Sequence, residues 1–94
     1  MTTTALRLLI RGRVQGVGYR DAAVQSAFVH DVAGWVRNRS DGSVEAFVQG
    51  TPEAVARYVE WCRRGPPLAR VTGVEVVDAI PDPTLQHFAW RATD

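Results

Sequence analysis

The 94-residue sequence contains no lysine: all eleven basic side chains are arginine. That absence excludes Schiff-base chemistry and a Walker-type phosphate lysine. Cysteine is nearly absent too. The single Cys62 rules out an internal disulfide framework and carries no sign of an oxidising compartment. His30 and His87 lie far apart, with no Cys-x-x-Cys or His-x-x-x-His spacing, so no metal site is expected. Charge of one sign is also lacking. Eleven basic against ten acidic side chains leave a net +1, which neither demands nor forbids an anionic partner. No apolar run approaches the roughly 18 residues of a membrane span. Met1-Thr2-Thr3-Thr4-Ala5 lacks the charged start and long apolar stretch of a secretory signal. A small soluble protein is expected, cytoplasmic and without a membrane partner.

What remains is an ordinary globular composition, 46% hydrophobic and 22% charged, enough for one core. One domain over residues 1–94 is therefore expected. Leu6, Leu8 and Ile10 alternate with Arg7, Leu9 and Arg11, the period of a strand covered on one face. Gly12 to Gly18, with three glycines in seven residues, ends that strand. From Asp21 the period becomes helical, with Val24, Ala27, Phe28 and Val32 as the apolar stripe and Gly34 as the stop.

Trp35–Arg39 and Val44–Val48 read as strands joined through Ser40-Asp41-Gly42-Ser43, where Asp-Gly is a hairpin signal. Thr51-Pro52-Glu53 opens a second helix with a hydroxyl cap, a first-turn proline and an acid at the positive dipole end. Val55, Tyr58, Val59 and Cys62 form its stripe, and Gly65-Pro66-Pro67 ends it. Val71–Val77 and a short Phe88–Trp90 complete the set. Two one-sided helices need a common apolar sheet face. The expected fold is α+β: a ferredoxin-like split βαβ (βαββαβ) sandwich, mainly antiparallel, with two helices on one face and a short C-terminal strand.

The stretch from Gly12 to Arg20 leaves a strand and enters a helix. A glycine-rich turn lets successive backbone N–H groups converge, and a helix N-terminus adds partial positive charge, so the loop suits a phosphate-sized anion. Arg20 at the junction can offer its planar fork to phosphate oxygens. The plainer alternative is a tight connection whose glycines only permit the turn. A Walker A loop does not fit, because Val17 stands five positions after Gly12 and no Gly-Lys pair exists; a dinucleotide fingerprint fails where Asp21 replaces its third glycine. On the next strand Val36 and Asn38 share a face by alternation. If that face is covered by the helices, Asn38 approaches the loop, where its amide can position a nucleophilic water beside an anchored phosphate. Otherwise it serves the Asp-Gly hairpin.

Ile10-Arg11-Gly12-Arg13-Val14-Gln15-Gly16-Val17-Gly18-Tyr19-Arg20 closely resembles the first signature of the acylphosphatases. Gly34-Trp35-Val36-Arg37-Asn38, continuing through Gly42, Val44 and Gly50, resembles the second. Tyr19 departs from the phenylalanine usual there, and its hydroxyl needs a partner. The resemblance implies metal-independent hydrolysis of carboxyl-phosphate anhydrides by a monomer with no cofactor. It implies a phosphate cradle built from the backbone of Gln15, Gly16, Val17, Gly18 and Tyr19, with Arg20 binding phosphate and Asn38 orienting water. The implied partner is a small-molecule acyl phosphate, not nucleic acid.

Other residues read more plainly. Arg7, Arg37 and Arg39 suit a solvated strand face, whereas Arg11 and Arg13 can add a field that steers dianions. Cys62 reads as a buried thiol, and His30 and His87 as surface or helix-end residues. Asn38-Arg39-Ser40 matches a glycosylation pattern by accident, since modification there would block the site. Trp35, Trp61 and Trp90 suggest a rival, base stacking in a ferredoxin-like RNA binder; a second rival is a regulatory or structural copy of a domain found in larger carbamoyl-transferring factors.

Overall fold

The computed structural model describes residues 2–94. The elements run β1 (Thr4–Arg13), α1 (Tyr19–His30), β2 (Ala33–Asn38), β3 (Val44–Gly50), α2 (Pro52–Arg64), β4 (Arg70–Ala79) and β5 (Phe88–Arg91). The strands form one sheet in the order β4-β1-β3-β2-β5. Every neighbouring pair is antiparallel except β2 with β5, which is parallel. This is the ferredoxin-like α+β arrangement, with β5 added beside β2.

Alternation in β1 places Leu8 opposite Ala46 and Ile10 opposite Val44. These four, with Val36 and Val48, are buried against Ala23, Ala27, Val55, Tyr58, Val59 and Cys62 of the helices. Each fully buried aliphatic side chain contributes about 1.5–3 kcal/mol. Helix α2 starts where its sequence dictates: Thr51 accepts a hydrogen bond from the Ala54 amide at 3.2 Å, with Pro52 behind it.

Helix α1 departs from its sequence pattern. It begins at Tyr19, before Asp21, and buries Ala23, Ser26 and Ala27, while Phe28 is 89% exposed. The small residues at i and i+4 let the helix sit close to its neighbours, and Tyr58 of α2 fills the space, its hydroxyl donating to the Ala23 carbonyl at 3.0 Å. Nor is Gly34 the helix stop. Asp31 ends α1 in the left-handed region (φ 57°), its N–H directed at the Ala27 and Phe28 carbonyls. Gly34 instead lies inside β2 at φ 146°, where a Cβ would stand 1.8 Å from the Phe47 carbonyl oxygen. Close strand approach, not helix termination, requires that glycine.

The sheet face away from the helices is not simply solvated. Glu45 projects there with its side chain only 3% exposed, and three arginines converge on it. Its Oε2 lies 2.8 Å from Arg7 Nε, and its Oε1 lies 2.7 Å from Arg37 Nη2 and 3.3 Å from Arg39 Nη1. The reading of Arg7, Arg37 and Arg39 as a solvated face is thereby corrected, because register across β1, β3 and β2 brings all three to one carboxylate. Glu45→Gln leaves three cations without their common anion. These arginines are between 28% and 60% exposed and can rehydrate, so the cost falls below the 3–5 kcal/mol of a fully buried pair, at about 2 kcal/mol. For a domain of this size that lowers the melting temperature by roughly 10 °C. An unchanged thermal midpoint would show that the cluster adds nothing.

Cys62 is buried, and desolvation pushes its thiol up to about 12. Burial likewise raises the phenols of Tyr19 and Tyr58 above their ordinary value. A raised folded-state value stabilises the fold below the unfolded pKa, near 9.0 for the thiol, and the contribution is lost as pH climbs towards 12. Stability therefore holds through neutral pH and falls over that alkaline range. Denaturant midpoints across pH check it; a midpoint that stays level up to pH 12 would contradict it.

Candidate active site

Between β1 and α1 the chain turns through Gly16 and Gly18, both in the left-handed region at φ 73° and 77°. A Cβ at either would meet open space, so the backbone angle, not crowding, calls for glycine. Gly18 caps α1 without any side-chain bond, and the first helical hydrogen bond runs from the Ala22 amide to the Gly18 carbonyl at 3.1 Å. Backbone N–H groups from Gln15 to Asp21 have no acceptor among the described residues. Successive unpaired donors at a helix start favour an anion.

Val14, Gly16, Gly18, Tyr19, Arg20, Asp21 and Asn38 line one depression of about 130 Å³. The fold thus brings Arg20 and Asn38, 18 positions apart in sequence, to a single pocket with the loop. Pairing of β2 with β3 and of β5 with β2 places Asn38 at the strand end on the helix side. The hairpin after it is closed by other groups. Asp41 accepts from the Ser43 amide at 2.9 Å and its hydroxyl at 2.6 Å, which holds the Asp41 carboxyl below the usual carboxylate range. Asn38's own carbonyl accepts from the Asp94 amide at 3.0 Å.

The remaining loop residues divide. Gln15 turns its side chain away to clamp the hairpin, donating to the carbonyls of Arg39 at 2.7 Å and Ser43 at 2.9 Å. Val17 packs on the core, and neither it nor Gln15 lines the depression. Tyr19 is buried, and its hydroxyl finds a partner in the Cys62 carbonyl at 2.7 Å. That oxygen belongs to the last turn of α2, and the residue four positions on is Pro66, which has no N–H to offer. Asp21 also faces the pocket. In the sequence a first-turn acid reads only as a response to the helix dipole.

Trp61 packs between Tyr19 and Tyr58. Trp35 stacks on Phe47 and carries the guanidiniums of Arg37 and Arg91 at 5.1 and 4.7 Å. His30 ends α1, its Nδ1 2.8 Å from the Ser26 carbonyl oxygen. Among the described residues no three of His, Cys, Asp or Glu gather, and no helix is long and apolar enough to cross a membrane.

Fold and pocket together define a ferredoxin-like protein whose strand–loop–helix junction sets unpaired amides beside Arg20 and Asn38. A match to the acylphosphatase family extends over residues 6–90. An acylphosphatase of Azoarcus sp. (strain BH72) is 54% identical over 81 residues, covering 85% of this chain and 83% of that protein. The acylphosphatase of Bordetella parapertussis is 46% identical over 84 residues, 89% of each. The crystal structure of the Bacillus subtilis acylphosphatase superposes with a TM-score of 0.89 at 34% identity, covering 94% of this chain and 98% of that one. The chain belongs to the acylphosphatase family, whose members are hydrolases acting on acid anhydrides.

Proposed function

We propose that this chain hydrolyses carboxyl-phosphate anhydrides without a metal, as a cytoplasmic monomer whose residues 1–94 form one acylphosphatase-like domain. The substrate is a small-molecule acyl phosphate, with no part for nucleic acid. The observation that carries the proposal is that Gly16, Gly18, Tyr19, Arg20 and Asn38 line one depression, beside a loop whose amides find no backbone acceptor.

The phosphoryl oxygens take the main-chain donors of Gln15, Gly16, Val17, Gly18 and Tyr19 and the fork of Arg20. The Asn38 amide holds the attacking water in line. Water oxygen bonds to phosphorus, and the phosphorus–acyl oxygen bond breaks with its electron pair leaving on the carboxylate. One dianionic acyl phosphate and one water give one carboxylate and one dihydrogen phosphate monoanion, so both water protons stay on the product. A carboxylate whose conjugate acid has a pKa of about 4 departs without a general acid. Positioning and charge stabilisation then suffice, as is usual in phosphoryl transfer. The decisive assay is benzoyl phosphate hydrolysis in the presence of a chelator. Turnover that persists supports the proposal, and turnover abolished by chelation and restored by a divalent cation overturns the metal-independent route.

A further inference from the structure

Loop amides, Arg20 and Asn38 account for the phosphoryl end of a substrate, and a depression of about 130 Å³ leaves the acyl group outside it. One large apolar surface adjoins its rim. Trp90 is 54% exposed, and Arg20 Cζ lies 5.0 Å from its ring centroid. Arg20 Nη1 is also 3.4 Å from the Arg91 carbonyl oxygen, to which it donates, so the guanidinium reaches from the first turn of α1 to β5. The parallel register sets Trp90 beside Val36. Both face the helices, the side from which Asn38, two residues beyond Val36, projects. Other exposed apolar side chains lie elsewhere: Phe28 and Val29 at the far end of α1, Val76 and Val77 on β4 at the opposite sheet edge, and Leu68 and Ile80 flanking β4.

We propose that Trp90 is a specificity-determining residue, its half-exposed indole forming the wall on which the acyl group rests, so that flat aryl acyl phosphates are preferred over acetyl and carbamoyl phosphate. The proposal rests on the acylphosphatase function of the neighbouring pocket. Arg20 covers part of the ring while binding phosphoryl oxygens, which places the anhydride carbonyl and its substituent next to the remaining indole surface. An aryl group stacks there with the offset or edge-on geometry that aromatic pairs favour; a methyl or amino group has too little area to do so.

The test measures kcat/KM for benzoyl and acetyl phosphate with the wild type, Trp90→Ala and Trp90→Phe, and the inhibition constant of inorganic phosphate for each. The benzoyl-to-acetyl ratio is expected to fall roughly three- to tenfold in Trp90→Ala and to be largely kept in Trp90→Phe. Any loosening of Arg20 acts on the phosphoryl group common to both substrates. It therefore cancels in the ratio and registers in the phosphate inhibition constant instead. A ratio unchanged in Trp90→Ala overturns the proposal, as does a wild type that prefers acetyl phosphate. A wild type that hydrolyses neither substrate yet binds phosphate would overturn the acylphosphatase function itself, a separate outcome.

Discussion

Arg20→Ala is expected to lower kcat/KM for benzoyl phosphate by roughly a thousandfold, in line with the 10³–10⁵ that a transition-state arginine supplies elsewhere in phosphoryl transfer. Two contacts hold the guanidinium, the Trp90 ring and the Arg91 carbonyl, and neither neutralises it. Its charge remains available to the phosphoryl group. Inorganic phosphate should lose affinity in parallel. Arg20→Lys keeps the charge but not the planar fork or the stacking face, so it should recover little. Steady-state kinetics with phosphate as competitive inhibitor check both variants. A lysine enzyme of near-normal activity would show that charge alone matters and that the fork does not.

Asn38→Ala should separate binding from chemistry. The side chain belongs to the pocket, whereas the local fold leans on its main chain, through pairing with Val44 and the bond from Asp94. Truncation is therefore expected to leave the fold and phosphate affinity intact and to lower kcat by about 10²–10³, or 2.7–4 kcal/mol, the loss seen when one preorganised transition-state donor is removed. KM should hardly move, because ground-state binding is expected to rest on the loop and Arg20. An Asn38→Ala enzyme with normal kcat would remove the residue from the mechanism; one with normal kcat but raised KM would reassign it to substrate binding.

Much of this site is legible along the chain because it is built from local geometry. Gly16 and Gly18 advertise a turn with positive φ, and the loop leads straight into α1. Thr51-Pro52-Glu53 and Asp41-Gly42 likewise act through hydrogen bonds a few residues long. What escaped depends on partners remote in sequence. Glu45 looks like any polar residue of an alternating strand until β1 and β2 flank β3 and bring Arg7, Arg37 and Arg39 to it. Phe28 sits on a helical stripe by count, yet Tyr58 from α2 fills the interior and Phe28 stays outside. Asp21 gives no sign in the sequence that it will face the pocket.

The sequence by itself determined the strand and helix periods, the turn chemistry, the glycine-rich loop before α1 and the two signatures of the family, since each is set by residues within a few positions of one another. Only the tertiary structure decided that β5 runs parallel to β2, that Trp90 meets Arg20, that Tyr19 satisfies the carbonyl left open by Pro66, and that a buried carboxylate gathers three arginines. Apart from Arg37 and Arg39, which reach Glu45 across one hairpin from 8 and 6 positions away, those contacts join segments tens of residues apart; their energy exists only once the sheet's register has closed the distance between them.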